Sequence, residues 1–550
     1  MAVANYTEDL TDIATGDEAS GWINFSTNQQ GTPSYTDQDY PYIQGSYAVT
    51  QTCSKAKTLG NLGYDYGSTI SLPTDGAFLV WQAFSSPFAI DDYVGTTTGI
   101  AGMCVLVGDD ASNFDYWEVG GKDKTPMPYG GWQCHAVNTT ITRDGVGAGT
   151  KTIDRYVGAQ VALTAYPSKG EVHQVDVMRF GRCSAIFEDG EAADYCIIAG
   201  FAAENDNQSN RWGLIQDVAG GYLWQGRMAL GTASTAVDFR DSNVTIFIKW
   251  CPKVTPNFNM IEVENAGSNV EMTGFQFIQL DTSTASRGRW ITTDDADVAL
   301  TECSFSDMGT FDFDSNTIAL SCTWKRCLQI DPQQADLSFS NVLESDVTGG
   351  GSVGGGALLW DVTADPNIYL NDMTFSKGSG SHHAIEFGTS APQTINLTNM
   401  TFTSFHADNQ ETTSVLYFPD TGGDVTWTVT HTGTTGVISY YKARSGDTVT
   451  ISSSVPATIT TIDKNNDPVG NVRCSIHKSS DDSELLNEDS NASTGIATEN
   501  VPFPGGAFDI YWRVRESPAA GPRYKNKSGL GQVDSGGFSV TVTMELETVT

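Results

Sequence analysis

The stretch Met272-Thr273-Gly274-Phe275-Gln276-Phe277 recurs in degenerate form along the middle third of the chain. Its further copies are Leu300-Thr301-Glu302-Cys303-Ser304-Phe305, Leu370-Asn371-Asp372-Met373-Thr374-Phe375, Leu397-Thr398-Asn399-Met400-Thr401-Phe402 and the clipped Leu320-Ser321-Cys322-Thr323-Trp324. A β-branched residue stands two places before each copy, at Val270, Val298, Ile318, Ile368 and Ile395. Self-similarity at roughly 20–30 residues indicates stacked coils. Alternating β-branched and aromatic residues indicate that the coils are made of strands.

A second set of apolar strands recurs between the copies of this motif. Its members are Ala357-Leu358-Leu359-Trp360, Ala384-Ile385-Glu386-Phe387, Val415-Leu416-Tyr417-Phe418 and Val437-Ile438-Ser439-Tyr440. Successive copies of the first motif are unequally spaced, with 28 residues from Met272 to Leu300 and 20 from Leu300 to Leu320. Two strand sets per coil with variable loops predict a right-handed parallel β-helix over residues 251–455. Loops that leave such coils often carry binding or catalysis.

Residues 1–250 are predicted to form a separate all-β domain. Aromatic-rich strands at 76–84 and 114–119, with two further strands at 172–178 and 244–250, lie beside Gly-rich turns, which favours a two-sheet sandwich. Val175 and Val177 flank Asp176 in the pattern of a half-buried strand. The tryptophans expected in the core are Trp81, Trp117 and Trp132. The layout resembles concanavalin-like jelly rolls, a class of domain that often binds sugars.

Residues 456–550 are predicted to form a third, smaller module. A turn at Asp463-Lys464-Asn465-Asn466-Asp467-Pro468 separates two strands, and further strands follow at 508–515 and 538–546. The run from Asp463 to Ile476 resembles the immunoglobulin-like sandwich of carboxypeptidase regulatory-type modules. That resemblance implies a structural or adhesive role.

Composition restricts the classes of partner. The 550 residues carry 66 acidic and 30 basic side chains, a formal net charge of −36. Such a surface repels phosphate backbones and anionic membrane surfaces, so nucleic-acid binding is not expected. Membrane insertion is not expected either, because it needs a long apolar run. The opening residues lack the pattern of a secretory signal, and no apolar run approaches the ~20 residues that span a bilayer. We therefore expect synthesis in a reducing cytoplasm.

The ten cysteines show no CxxC pair and no common zinc spacing. They are expected to be small buried hydrophobic residues with free thiols. The adjacent His382 and His383 would point to opposite faces of a strand, so solvent exposure or an interchain contact is expected rather than a zinc site. The sequence therefore predicts no metal and no cofactor.

Acid clusters are the strongest candidates for chemistry. Glycoside cleavage needs two carboxylates about 5–10 Å apart, and neighbouring coils stack ~4.8 Å apart. The candidate catalytic acids on successive coils are Asp294, Asp295, Asp297, Asp312 and Asp314. With 66 acidic residues in the chain, many such pairs arise by chance, so no catalytic residue is assigned and these five stand as an alternative.

The combination of a jelly-roll-like front, a β-helix and a terminal immunoglobulin-like module resembles virion proteins of tailed bacteriophages. The resemblance rests on the β-helix copies, on the Asp463–Ile476 run and on the strand Tyr511-Trp512-Arg513-Val514-Arg515. It implies a spike, fibre or capsid-surface protein, made in the host cytoplasm and displayed on the virion surface. It also implies a homotrimer that contacts other capsid or tail proteins. No catalytic residues carry over from it.

Two functions follow as expectations. The first is a non-enzymatic virion structural protein, a projecting appendage on capsid or tail for which host-surface glycans are the expected ligand class. The alternative is a tailspike-type polysaccharide depolymerase, a glycoside hydrolase or lyase that uses carboxylates on the β-helix. A bacterial adhesin or secreted lyase is a third reading, weakened by the missing signal pattern.

Overall fold

The computed structural model describes residues 3–18, 20–23, 34–35, 42–52, 60–84, 102–120, 132–162, 172–190, 194–203, 214–250, 258–280, 287–293, 295–351, 354–419, 423–503, 507–516, 523–534 and 536–547. The fold is all-β, as the sequence predicts. Among the described residues, no helix has the length and apolarity that a membrane crossing needs. The chain divides into two compact units, Met1–Thr348 with Ala357–Leu359 and Gly378–Gly380, and Gly349–Gly356 with Trp360–Lys377 and Ser381–Thr550.

The first unit begins with two antiparallel sheets. Their strands are β1 Asn5–Ala14, β2 Trp22–Ile23, β3 Ser34–Tyr35, β4 Val49–Thr52, β5 Gly60–Asp65, β6 Ala77–Phe84, β7 Gly102–Gly108, β8 Phe114–Gly120, β9 Gln133–Val137, β10 Gly145–Val146, β11 Tyr156–Ala162 and β12 Val172–Glu188. β1, β3, β4, β6, β9 and β12 form one sheet, and β10, β8, β7, β11, β5 and β2 form the other. Phe78 and Val80 of the first sheet and Val105 and Val157 of the second share one buried core.

The predicted core tryptophans are mostly confirmed, because Trp81 and Trp117 are fully buried whereas Trp132 is half-buried. The half-buried pattern expected around Asp176 is wrong. Val175, Asp176 and Val177 are all buried, since the strand is covered on both faces.

Strand β12 belongs to two structures at once. Its first part pairs antiparallel with β6, while Ser184–Phe187 pairs parallel with Arg227–Leu230. Cys183, with a φ of 55°, stands between the two parts and turns the strand from one pairing to the other. Parallel coils therefore begin at Ser184, well before residue 251, where the sequence placed the start of the β-helix. The reason is that β12 itself supplies the first strand of the stack.

The parallel part of the first unit has three sheets. Its elements are the helix α1 Ile198–Ala203 and the strands β13 Ile215–Val218, β14 Gly221–Trp224, β15 Arg227–Leu230, β16 Asp238–Ser242, β17 Thr245–Ile248, β18 Asn259–Val263, β19 Asn269–Thr273, β20 Gln276–Gln279, β21 Arg289–Thr292, β22 Asp297–Thr301, β23 Ser304–Ser306, β24 Phe311–Asp312, β25 Thr317–Leu320, β26 Thr323–Lys325, β27 Ile330–Asp331 and β28 Asn341–Leu343. Sheet A contains β12, β15, β18, β21, β24 and β27, sheet B β14, β17, β20, β23, β26 and β28, and sheet C β16, β19, β22 and β25. Each coil runs from A to C to B, which is the winding of a parallel β-helix.

The recurring motif is the corner between sheets C and B. Each coil turns there on one residue with positive φ: Asn243 (58°), Gly274 (66°), Glu302 (55°) and Ser321 (56°). The motif's aromatic residue then enters sheet B and faces the core. Phe277 stacks on Phe305 at 5.4 Å between ring centroids, and Phe305 stacks on Trp324 at 5.8 Å. The repeat thus encodes a tight corner followed by a rung of an aromatic stack.

In three successive coils, the residue after the corner donates a hydrogen bond from its side chain to a backbone carbonyl of the preceding coil. The Cys303 thiol donates to the Met272 carbonyl at 3.4 Å, and the Cys322 thiol donates to the Leu300 carbonyl at 3.5 Å. In the next coil the Ser340 hydroxyl donates to the Ala319 carbonyl at 2.9 Å. A small donor at this position therefore links neighbouring coils by a side-chain hydrogen bond.

The register of the clipped copy differs from the sequence alignment. Leu300 pairs with Ala319 rather than Leu320, so Thr317 and Ala319 face inward while Ile318 is 47% exposed. Ile318 is therefore not the inward residue that the motif predicts. The bridge from Ile318 to Asp336 places a further copy at 337–342, which the sequence comparison missed because Ser340 stands where other copies have an apolar residue or cysteine.

Helix α1 lies against the first coils. Phe201 is fully buried and stacks on Phe187 at 5.1 Å, with Trp224 at 5.8 Å. The first backbone amide of the helix, that of Ile198, donates to the Asp241 carboxylate at 2.9 Å. Burial raises the pKa of Asp241. The helix thus buries apolar surface at the start of the stack, where an open coil would expose it.

The second unit contains parallel strands of its own. Its elements, with β29 shared between the units, are β29 Gly356–Trp360, the 3-10 helix Pro366–Ile368, β30 Thr374–Ser376, β31 His383–Phe387, β32 Thr394–Thr398, β33 Thr401–Thr403, β34 Leu416–Phe418, β35 Thr426–Thr432, β36 Tyr441–Ala443 and β37 Thr448–Ile462. Phe375 stacks on Phe402 at 5.5 Å, so these two motif copies are also rungs. Ile368 is 67% exposed in the 3-10 helix rather than in a strand, because Pro366 lacks the donor that a central strand needs.

The last strands form a two-sheet module. They are β38 Val472–Lys478, β39 Glu484–Asp489, β40 Ile496–Phe503, β41 Phe508–Glu516, β42 Lys527–Val533 and β43 Phe538–Thr543. β37 pairs parallel with β35 up to Ser454 and then with β40 and β43, while β39, β38, β41 and β42 form the second sheet. Ile459, Cys474, Ile476 and Val514 are buried between the two sheets.

Candidate functional site

The structure separates most of the acids that the sequence grouped as candidates. Asp294 lies outside the described residues. Asp297 begins β22 of sheet C and is exposed, whereas Asp312 ends β24 of sheet A. These two carboxylates therefore belong to different sheets of the coil and do not share one surface.

Asp314 stabilises a turn. Its side chain is 5% exposed and accepts the backbone N–H of Asp295 at 2.7 Å and that of Asn316 at 2.6 Å. Asp295 has a φ of 71°, a left-handed conformation that Asp tolerates better than most residues. Both residues thus form the connection between sheets A and C in adjacent coils.

A different set of charges crosses the outward face of sheet A. We call it the charged ladder, and its members are Arg182, Arg227, Asn259, Glu262, Glu264, Arg289 and Asp312. Glu262 points outward because its strand neighbours Ile261 and Val263 are buried in the coil core. The ladder therefore lies on the flat face that successive coils build.

Glu262 is the centre of the ladder. It accepts from Arg182 at 3.1 Å and from the Asn259 amide at 3.2 Å, and it is ion-paired with Arg227. Arg227 is 2% exposed, and its Nε and Nη1 have no hydrogen-bond partner among the described residues. Burial lowers the pKa of Arg227, opposed by the charge of Glu262. Removing Glu262 would leave a buried guanidinium without its counter-charge, which is strongly unfavourable.

The outer members extend the ladder over further coils. Arg182 pairs with Glu264 at 3.2 Å, and Arg289 pairs with Asp312 at 3.4 Å. Burial raises the pKa of Asp312, opposed by Arg289. Burial, and then the charge of Glu262, raise the pKa of Glu264. The register places Asp312 two coils from Glu262, about 9–10 Å away at ~4.8 Å per coil.

Sequence reasoning missed the ladder apart from Asp312. The alternation Ile261-Glu262-Val263-Glu264 is a visible signal for two outward carboxylates on one strand. The arginines carry no comparable signal, because Arg182, Arg227 and Arg289 are far apart in sequence and meet only through the stacking of coils.

The two adjacent histidines, in the second unit, are buried, so the expectation of solvent exposure is wrong. His382 packs edge-on against Phe405 at 5.9 Å, and His383 stacks on Tyr417 at 4.7 Å. The two ring nitrogens of His383 lie 2.7 Å from the Ser414 carbonyl and 2.5 Å from the Gly350 carbonyl. Burial lowers the pKa of His383, although only the imidazolium could donate to both carbonyls at once.

The described cysteines are all buried free thiols, as predicted. Burial raises the pKa of Cys327 and Cys474 to about 12, so neither is a thiolate at neutral pH. Within the described part of the chain, no three His, Cys, Asp or Glu side chains come together in an arrangement that could hold a metal ion.

Comparisons with known proteins give structural likenesses alone. No protein-family model matches the chain, and no curated protein matches it. The chain aligns with the catalytic domain of Agl-KA at 11% identity and a TM-score of 0.24, covering 82% of this chain and 96% of that one. It aligns with a catalytic domain of GH87 alpha-1,3-glucanase in complex with tetrasaccharides at 10% identity and a TM-score of 0.16, covering 82% and 99%. Likenesses at these TM-scores carry no argument about function.

Proposed function

We propose that the chain is a non-enzymatic structural protein of a tailed-phage virion, displayed on the capsid or tail as a β-helix appendage. The observation that carries the proposal is the use of the carboxylates. Asp314 accepts two backbone N–H groups of a turn, and Glu262 is held by two arginines and an amide. These acids stabilise the stack of coils, and a structural protein needs nothing more of them.

Locating the protein on particles tests this proposal. Antibodies against the purified chain are applied to intact virions and to virions stripped of tails, and the label is imaged by electron microscopy. Label on capsid or tail is the expected result and also distinguishes the two locations. Particles that carry no label while the chain is abundant in the lysate would refute the virion role.

We further propose that the appendage is a homotrimer that contacts other virion proteins. The stiffness of a stack of parallel strands suits a projecting assembly. Light scattering of the purified chain should give three times the 59.0 kDa of one chain. A mass of one chain, both alone and after extraction from particles, contradicts the trimer.

A polysaccharide depolymerase is the second candidate function. The charged ladder favours it by offering candidate catalytic carboxylates other than those predicted from the sequence. Burial raises the pKa of Glu264, and Glu262, two residues earlier, is ion-paired with two arginines. The two residues are about 6.6 Å apart along the extended chain. That separation suits an inverting glycosidase. The test is incubation with host-envelope polysaccharide and measurement of new reducing ends and unsaturated sugars. If the protein releases these products, and if Glu262→Gln abolishes the release while Asp295→Ala leaves it intact, the depolymerase replaces the structural proposal.

A further inference from the structure

A cavity of about 570 Å³ lies beside helix α1 in the first unit, and none of its described lining residues belongs to the charged ladder. Among the described residues, three short segments line it: the start of β1, the residues before the helix, and the helix itself. The lining residues are Val3, Ala4, Tyr6, Asp194, Tyr195, Ile197, Gly200 and Ala203. The volume is in the range of small-molecule sites, about 300–1,000 Å³.

Both tyrosines of the cavity are held in place. Tyr6 packs edge-on against Phe187 at 5.7 Å and Phe201 at 6.2 Å, and its hydroxyl accepts the Ile197 N–H at 3.2 Å. A Cβ on Gly200 would lie 2.1 Å from that hydroxyl, so glycine is what allows the helix to approach. The position of the Tyr6 ring is therefore set by the fold.

Tyr195 is held by a cation. The Arg240 guanidinium lies 4.3 Å from the centre of the Tyr195 ring. Arg240 is itself fixed by a bidentate pair with Asp238, at 2.7 and 3.1 Å, and lies 3.6 Å from Glu271. Because the ring is already immobilised, a ligand that stacks on it loses little binding free energy to the ordering of this side chain.

The charges around the cavity select against anions. Asp194 lines it and is exposed, and Asp189, Asp194 and Asp238 all act on the neighbouring Cys196 thiol, whose pKa burial raises to about 12. Arg240 is already neutralised by Asp238. An acidic ligand would meet unbalanced negative charge here, whereas hydroxyl groups could donate to the Asp194 carboxylate.

We propose that this cavity binds a neutral hexose unit of a surface polysaccharide. The C–H face of the sugar packs on the Tyr195 ring, and its hydroxyl groups donate to Asp194. This inference goes beyond the proposed structural role of the virion protein and depends on that role for its biological meaning.

Saturation-transfer NMR on the full-length chain tests the proposal. The probes are D-glucose, D-galactose and N-acetyl-D-glucosamine, with D-glucuronate as the acidic comparison. Transfer to at least one neutral sugar is expected, with dissociation constants raised about tenfold by Tyr195→Ala and by Asp194→Ala. Asp194 is exposed, so its variant remains informative if Tyr195→Ala fails to fold.

Tyr511→Ala is the matched control, because Tyr511 also lies beside an arginine, Arg513 at 4.9 Å, and bonds to the Asp482 carboxylate, but does not line the cavity. Binding should persist in this variant. No transfer to any neutral sugar, equal transfer in Asp194→Ala, or preference for glucuronate overturns the inference. Sugar binding by a chain that is absent from particles refutes the virion role alone, and a virion protein without sugar binding refutes this site alone.

Discussion

A buried carboxylate in the N-terminal sandwich should make stability depend on pH. Asp176 is fully buried on β12, and its Oδ2 accepts the backbone N–H groups of Ile43 and Gln44. Its Oδ1 has no hydrogen-bond partner among the described residues. Burial raises the pKa of Asp176 from 3.8 to about 8, opposed by the two backbone N–H groups. The perturbation is Asp176→Asn, which keeps the shape and removes the charge.

The magnitude follows from the difference in proton affinity. The folded state binds the proton more tightly than the unfolded state, so the contribution of Asp176 to stability is complete below about pH 4 and falls as pH rises to about 8. At about 1.4 kcal/mol per pKa unit, the loss reaches roughly 5 kcal/mol at pH 8. The amide avoids this loss but buries an NH₂ group without a partner, at a cost of about 2 kcal/mol. The variant should match the wild type near pH 5 and exceed it by about 3 kcal/mol at pH 8.

Differential scanning calorimetry of both proteins from pH 5 to pH 8 measures how their difference in stability changes with pH. The transition of the sandwich should rise by roughly 10 °C in the variant at pH 8 and stay nearly unchanged at pH 5. Asp217→Asn, at an exposed carboxylate on β13, is the control and should shift neither. A difference between Asp176→Asn and wild type that is the same at both pH values would refute the reasoning, because it would mean that Asp176 does not change its protonation between them.

Three further substitutions test the coils by urea unfolding of the full chain. Glu302→Gly should stabilise the first unit by up to about 1 kcal/mol, since Glu302 holds a left-handed corner; a loss of stability would contradict this. Cys322→Val should cost about 1 kcal/mol by removing the thiol that donates to the Leu300 carbonyl, whereas Cys322→Ser keeps a donor and should cost less; equal costs count against the bond. Arg287→Met should cost about 3 kcal/mol, because the buried guanidinium pairs with Asp346 at 2.7 Å; a neutral effect would mean the pair adds nothing.

Local sequence carried enough information to predict the coils, because each coil repeats the same sequence of local conformations. A strand must end, turn sharply on one residue and begin again with an aromatic residue facing inward. One residue with positive φ forms each corner, whether it is Gly274 or the less tolerant Glu302, and the aromatic residue marks the rung. The clipped copy misled the alignment at Ile318, because a shift of one residue in a strand exchanges its inward and outward faces.

Local sequence patterns could not predict which acidic side chains are exposed or which of them share a surface. Asp295 and Asp297 are two residues apart in sequence, yet Asp295 lies in a turn and Asp297 begins a strand of sheet C. Asp176 looked like the outward residue of a half-buried strand and is covered instead, because Ile43 and Gln44 lie across it. Burial of a residue depends on what a distant segment does, and no local pattern encodes that.

The sequence by itself determined an all-β chain, with repeated strands that stack as parallel coils and a surface rich in negative charge. Only the tertiary structure decided which charges meet. Arg182, Arg227, Glu262, Arg289 and Asp312 come together because successive coils lie ~4.8 Å apart, so residues far apart in the chain become neighbours across strands. The cavity beside α1 arises in the same way, from the start of β1 and the residues that precede the helix. Periodicity specifies a strand's direction and inward face, whereas the neighbours of its outward face follow from long-range packing.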